Sequence, residues 1–335
     1  MPQGATMNTQ EEPMQIIDEA TLRDRVGPSV ALDAVESAFR ALGEDRVMQP
    51  PPMGLEVAPV GGEVHVKGAY LSGAPVFAVK IASGFYANVK RGLPSGSGLM
   101  LVFDATTGFP LALLQDNGYL TDLRTAAAGA LAARLLTFEP LGKVAIIGSG
   151  LQARYQSQAI AAVRSWQQLV VWGRHEERAA RCAEELAAEL DRPVVTAVSA
   201  EAAVRDADLV VTVTPSRQPI VQDDWLGDGA TLIAVGSDGP EKQELAPSVL
   251  QGADKVVADR IAQCIQLGEI HHAIAAGVLT RDRIHGELGQ IVTGAVTGRE
   301  GRERIVCDLT GVGAQDAAIA EAAWRKTCAD THRLP

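Results

Sequence analysis

An acid at the tip of an apolar run is the first candidate for chemistry. In "TLIAVGSDGPEKQE" (231–244), Leu232 to Val235 read as a buried strand, and Gly236 and Ser237 lead into Asp238. Ligands of open α/β sheets bind at the carboxyl ends of the strands, and a carboxylate there can move a proton on an amine or a water. Asp-Gly-Pro is equally good turn chemistry, so position alone leaves both roles open. The second candidate is "KVAIIGSGLQARYQ", which places Gly148-x-Gly150-x-x-Ala153 after a strand and at the start of a helix. The first glycine permits a tight turn, the second lets the backbone approach a pyrophosphate, and a small third residue allows close helix packing. Free N–H groups and the helix dipole favour the anion. The strand before and the helix after supply the context that a dinucleotide loop requires.

The next strand should end in the residue that selects the cofactor. An acid there binds a ribose 2′-hydroxyl, whereas an arginine accommodates a 2′-phosphate. "LVVWGRHEER" offers Gly173 and then Arg174, which leans to NADP(H) within an NAD(P) site; a solvated helix-start residue is the plain alternative. Gln152 in the loop and Thr125, Thr214, Val235 and Ser237 at neighbouring element ends complete the expected cofactor contacts. Arg124 in "DLRTAAAG" lies where two textures of sequence meet, and either grips a substrate carboxylate bidentately or forms an interdomain salt bridge. Lys80 in "FAVKIASG" is a lysine inside an apolar strand, costly unless paired or functional. Lys67 in "HVKGAY" poses the same question more weakly. His271-His272 and His285 lack the carboxylate spacing of a metal site, so no metal is expected. "LPSGSG" (93–98) reads as a flexible, substrate-covering loop.

These candidates need elements to hold them. "SVALDAVESAFRAL", within a region of helical spacing from Ile16 to about Leu42, has the spacing of an amphipathic helix. "EVHVKGAYL", "PVFAVKIASGF", "GLMLVFD" and "PLALLQD" read as strands of an antiparallel sheet, with "DATTG" as a hairpin loop. "TAAAGALAARLL" is an Ala-rich helix. From there to about Asp308, apolar strand cores alternate with helices, the pattern of a doubly wound parallel sheet, and "GAQDAAIAEAAWRKTCA" is a final helix. The 335 residues are 47% hydrophobic and 21% charged with a net charge of −11, long enough for two domains. No basic, aromatic-interleaved stripe suggests nucleic acid, and no apolar run approaches the ~20 residues of a membrane span. Residues 1–15 read as a flexible tail without a signal-peptide core. Four scattered cysteines form no C-x-x-C, which points to a reduced cytoplasm.

Taken together, "VKIASGF", "GLPSGSGLMLVFDATTG", "LTDLRTAAAGALAARLL", "VAIIGSGLQA", "AVGSDGPEKQEL", "HGELGQIVTG" and "DLTGVGAQDAAIA" resemble the ornithine cyclodeaminase/mu-crystallin family over nearly the whole chain. "KGAYLSG", "DNGYLTDLRTAAAG" and "DLTGVGAQD" look most similar to its ectoine-utilisation branch, itself similar to iminosuccinate reductases. The resemblance implies a discontinuous α+β substrate and dimerisation domain (residues 16–123 plus 309–335) that forms a homodimer through its sheet. A Rossmann-type doubly wound parallel sheet (124–308) is inserted in it. It implies that Lys80 and Arg124 hold a substrate carboxylate, with Lys80 close to the chemistry, and that Asp238 is the acid/base. Mu-crystallin-like ketimine reductases differ at that position, so an aspartate leans to the cyclodeaminase and amino-acid dehydrogenase side. Other members carry a second carboxylate-binding arginine in a "QPPR"-like stretch; this chain has Pro52-Met53 there, so either Arg46 or Lys67 substitutes or the substrate is held differently. Two activities on a small amino or imino acid follow. One is redox-neutral cyclodeamination of a diamino acid such as ornithine, in which hydride leaves Cα, the ring closes with loss of ammonia, and the hydride returns. The other is NAD(P)H-dependent reduction of an imine or ketimine acid. A non-catalytic dinucleotide or small-ligand binder is the third reading.

Overall fold

The computed structural model describes residues 13–328. Its first sheet contains β1 (Gln15–Asp18), β2 (Val47–Met48), β3 (Met53–Val57), β4 (Gly62–Leu71), β5 (Val76–Phe85), β6 (Gly96–Asp104) and β7 (Pro110–Gln115). The order is β1-β7-β6-β5-β4-β2, with β3 also paired to β4. Neighbours are antiparallel except β1, which runs parallel to β7. Alternation sorts the side chains: in β5, Val76, Ala78 and Lys80 are buried while Ile81 is exposed. The inner face is covered by the C-terminal helix Gly313–Cys328, which lies across β4 and β5; α2 (Pro28–Gly43), which follows the short α1 (Glu19–Arg25), packs on that helix.

The hairpin at "DATTG" forms as expected: one Asp104 carboxylate oxygen accepts from the N–H groups of Thr106 and Thr107 and from the Thr107 hydroxyl. Three expectations need correction. Residues 1–12 of the tail lie outside the described residues, but Gln15 already belongs to β1. Ile16 to Asp18, assigned helical spacing, are strand: Ile17 turns into the core and Ile16 to solvent, the period of two rather than of 3.6. In "LPSGSG", Gly96 starts β6 and Ser97 pairs with Ser83, so that half of the stretch is sheet, not loop.

Helix α3 (Tyr119–Leu136) joins the two halves of the molecule. It starts six residues before the Ala-rich run because the Asp116 carboxylate accepts the Leu120 N–H at 2.9 Å, and this places Arg124 and Thr125 inside the helix. Buried on nearly all sides, it packs between α2 and the C-terminal helix on one flank and α4 (Leu151–Ala161) on the other. A helix apolar all round belongs in such a position, and its alanines permit the close approach. Leu131 is fully buried there; Leu131→Ala is expected to cost about 2–5 kcal/mol.

The second sheet is parallel throughout. It contains β8 (Leu141–Ile147), β9 (Trp166–Trp172), β10 (Val194–Thr196), β11 (Leu209–Thr212), β13 (Thr231–Ala234), β15 (Lys255–Ala258), β16 (Gly286–Glu287) and β17 (Ile305–Asp308). The order β10-β9-β8-β11-β13-β17-β15-β16 reverses direction between β8 and β11. β12 (Arg217–Val221) and β14 (Gln243–Leu245) form a separate two-stranded ribbon. A doubly wound sheet binds its ligand outside the carboxyl ends of the strands at that reversal.

Candidate active site

The glycine loop opens at the reversal. The Gly148 N–H donates to the Trp172 carbonyl at 2.7 Å. Gly148 has φ of 138°, and a Cβ on it would stand 2.7 Å from Val213 Cγ2. Both facts demand glycine. Gly150 is the N-cap of α4, and a Cβ built there meets nothing within 4 Å. Space is thus open beside the N-terminus of α4, while Ala153 is fully buried. A pyrophosphate fits this arrangement of donors and space. Gly173 and the exposed Arg174 follow the end of β9, the adjacent strand.

The other expected cofactor contacts have side chains committed elsewhere. Gln152 donates from Nε2 to Asp122 Oδ1 at 2.9 Å and so ties α4 to α3; burial, offset in part by Gln152, raises Asp122 to about 6. The Thr125 hydroxyl bonds back to the Thr121 carbonyl. The Thr214 N–H and hydroxyl both donate to Glu244 Oε1, at 2.6 and 2.8 Å, and the Ser237 hydroxyl donates to the Lys242 carbonyl. Val235 is buried just past β13. Glu244 also takes the Thr212 hydroxyl and the Gly236 N–H. This buried carboxylate clamps the ends of β11 and β13; burial raises it to about 7 despite those four donors.

A cation cluster occupies the inner face of the first sheet. Lys67 and Lys80 are register partners on β4 and β5 and point the same way. Like charges directly opposite one another destabilise a sheet, so something must offset them. Asp316, in the first turn of the C-terminal helix, does so: its carboxylate lies 2.9 Å from Lys80 Nζ and 2.9 Å from Arg124 Nε. Burial works against this charge, but Arg124, Lys80 and Lys67 outweigh it and hold Asp316 below the usual carboxylate range. The helix N-terminus favours the same state. Lys67 Nζ donates to the carbonyls of Gly311 (2.6 Å) and Thr310 (3.2 Å), and Arg124 Nη1 donates to Gln315 at 3.1 Å. A Cβ on Gly311 would meet Arg124 Nη1 at 2.9 Å and Lys67 Nζ at 3.4 Å, so these two cations converge on one point. Burial, reinforced by Arg124, lowers Lys67 and brings Lys80 down to about 7. Three buried cations against one carboxylate leave room for a further anion.

Asp238 lies in the turn after β13, its side chain 41% exposed. Its carboxylate is 2.7 Å from Lys242 Nζ, which also reaches Glu63 Oε1 on β4 at 2.9 Å and the Tyr86 hydroxyl at 3.1 Å. Burial opposes the Asp238 charge, but Lys242, with Lys67 behind it, keeps the carboxyl below its usual value. His65 and Lys242, against some burial, bring Glu63 to about 2.

Of the expected substrate residues, Lys67, Lys80 and Arg124 come together. Arg46 does not. It stands half-exposed after α2, paired with Glu44 two residues away; the local acid captures the guanidinium at the surface. Asp316, Lys242, Glu63 and Glu244 went unassigned in the sequence, although Asp316, Lys242 and Glu244 lie inside "DLTGVGAQDAAIA" and "AVGSDGPEKQEL". His271, His272 and His285 each bond a ring nitrogen to a backbone carbonyl. Among the described residues no helix is long and apolar enough to cross a membrane.

A parallel sheet with a glycine loop at its reversal point, joined through α3 to a second sheet that carries a buried cation cluster, defines a two-part α/β architecture. The model of the ornithine cyclodeaminase/mu-crystallin family matches residues 17–329, and the chain belongs to that family. It is 44% identical over 318 residues to a protein of Sinorhizobium fredii named as an uncharacterised cyclodeaminase, covering 93% of this chain and 96% of that one. The structure of Thermococcus litoralis Δ1-pyrroline-2-carboxylate reductase in complex with NADH and L-proline superposes with a TM-score of 0.90 at 30% identity, over 95% of this chain and 98% of that one. An archaeal alanine dehydrogenase dimer with bound NAD gives a TM-score of 0.88 at 31% identity, over 95% and 97%.

Proposed function

We propose that the protein is an NAD(P)-dependent enzyme of amino-acid metabolism that reduces the C=N bond of a small imino acid to give an amino acid. The observation that carries this reading is the convergence of buried Lys67, Lys80 and Arg124, with Asp238 near enough to feel the Lys67 charge. Gly148, Gly150 and Ala153 hold the dinucleotide. When bound, its nicotinamide supplies the hydride that the α-carbon receives. Lys67, Lys80 and Arg124 fix the substrate carboxylate and so hold the α-carbon within reach. Asp238 delivers the proton to nitrogen. Arg174 beside the ribose site gives a preference for NADP(H), although the neighbours named above carry NAD or NADH. A homodimer through the outer face of the first sheet is supported by Met53, Val66, Ile81 and Leu99, cross-strand partners that form one apolar row with Met53 and Ile81 exposed; the alanine dehydrogenase named above is a dimer. Four scattered cysteines without a C-x-x-C suit a cytoplasmic enzyme.

Redox-neutral cyclodeamination is the second reading. The name of the 44% identical relative favours it, as does Glu63, a second carboxylate beside Asp238 to receive a distal ammonium. One assay separates them. Stoichiometric NAD(P)H consumption with Δ1-pyrroline-2-carboxylate or iminosuccinate supports reduction. Release of ammonia and proline from ornithine with oxidised cofactor, at constant absorbance at 340 nm, overturns reduction in favour of cyclisation. Asp238→Asn abolishes turnover under both readings while leaving cofactor affinity unchanged; retained turnover refutes the role of Asp238.

A further inference from the structure

The Lys242 ammonium contacts Asp238 on one side and Glu63 and Tyr86 on the other. Its stem is nearly buried. Its backbone is held on three sides: the N–H donates to the Gly239 carbonyl at 3.2 Å, and the carbonyl meets the Ser237 hydroxyl and His272 Nε2. Burial of the stem and three polar partners hold the ammonium itself. It stands between Asp238 on the parallel-sheet side and Glu63 and Tyr86 on the first-sheet side, with the Tyr86 ring centroid 5.5 Å away.

We propose that Lys242 is a positioning residue for the reaction: it aims the Asp238 carboxylate into the cleft and sets how readily that carboxylate holds a proton. The inference rests on the reading of Asp238 as the proton donor. The groups facing Asp238 set its sign. Lys242 and Lys67 favour the anion, as does His65 when protonated; Glu63 opposes it, partly neutralised by the same Lys242, and Tyr86 supplies a hydroxyl and a ring. At 2.7 Å the Lys242 contact is the shortest of these. An opposite charge within 4–6 Å lowers a carboxyl by about 1–3 pH units; burial pushes Asp238 the other way, and Lys242 is the strongest of the charges that overcome it. A proton donor held too acidic is protonated in few molecules at neutral pH, and Glu63 moderates that effect by sharing the ammonium.

The experiment reads Asp238 directly. The full-length protein carrying carboxyl-13C aspartate is titrated by NMR as wild type, Lys242→Met, Lys242→Arg and Glu63→Gln, with Asp238→Asn identifying the signal. Lys242→Met should move the Asp238 midpoint up by about 1–3 pH units, and the alkaline limb of kcat/KM for imine reduction should move with it. Lys242→Arg should restore most of the shift. Glu63→Gln, which frees the ammonium for Asp238 alone, should move the midpoint down and serves also where the methionine variant does not fold. An Asp238 midpoint unmoved in a folded Lys242→Met protein, or raised by Glu63→Gln, overturns the proposal. A shifted midpoint together with full turnover in Asp238→Asn would overturn the catalytic reading of Asp238 while upholding its control by Lys242.

Discussion

Asp316→Asn tests the cation cluster most directly. The carboxylate is buried and bridges Lys80 and Arg124 at 2.9 Å each, and the amide replacing it keeps the shape but not the charge. Removing one partner of a buried ion pair costs about 3–5 kcal/mol, because the remaining charge is left uncompensated. Unfolding entropy of about 2.1 cal/mol/K per residue over 335 residues gives about 0.7 kcal/mol/K. The melting temperature should therefore fall by about 4–7 °C for a chain that melts as one unit. The loss has a definite pH window. Asp316 is held below the usual carboxylate range, so its contribution is present above the unfolded value of about 3.9 and disappears as pH falls through the folded one. The gap between wild type and variant should stay open at pH 6–8 and close in acid. A second arm uses a planar carboxylate such as pyrrole-2-carboxylate. If the pocket holds the substrate carboxylate, this ligand finds a surplus of unpaired cations in the variant and should raise its melting temperature more than that of wild type. A melting temperature unchanged by the substitution, or no greater ligand response in the variant, would refute the charge arrangement on which the substrate site is built.

Other consequences follow from the same geometry. Gly148→Ala sets a methyl against Val213 at a φ of 138° and should weaken NAD(P)H binding about tenfold or more, ~1.4 kcal/mol, as read by cofactor fluorescence. Arg174→Asp should move the kcat/KM ratio from NADPH towards NADH by about tenfold or more; an unchanged ratio removes Arg174 from the cofactor site. Lys80, lowered to about 7 by burial and Arg124, should take up a proton when a carboxylate ligand binds above neutral pH. Calorimetry in buffers of different ionisation enthalpy should find fractional uptake in wild type and none in Lys80→Met. Burial and Glu244 raise Glu269 to about 8. Its contribution is complete below the unfolded value and is lost as pH rises through about 8, so stability relative to Glu269→Gln should fall by ~1.4 kcal/mol per pH unit over the upper part of that range, measured by urea unfolding at pH 6 and 8.5.

Local pattern made most elements of both sheets legible, because burial on one face or two leaves a period in the residues themselves. The exceptions show its limit. "QIID" is too short for its period to compete with the helical spacing beside it, and only pairing with β7 makes it a strand. The site was legible where a residue violates its surroundings: Lys80 among apolar neighbours, a glycine pair after a strand. It was not legible where the meaning lies in a distant partner. That Lys67 opposes Lys80 is a fact of register, and that Asp316 neutralises both Lys80 and Arg124 depends on chain separated from Lys80 by 236 residues. Asp316 is nonetheless an acid in a run of alanines on a buried helix, the same kind of violation as Lys80. The two anomalies explain each other: a buried lysine requires a buried acid, so two such residues in one sequence are a prediction of contact. Arg46 failed for the complementary reason. It offends nothing around it, since Glu44 stands two residues away, and a charge already satisfied locally has no need of the cleft. Lys242 lies between the cases: its spacing from Asp238 suggests a simple local pair, but its near-complete burial admits a lysine only because Glu63 on β4 and Tyr86 just after β5 close the remaining sides.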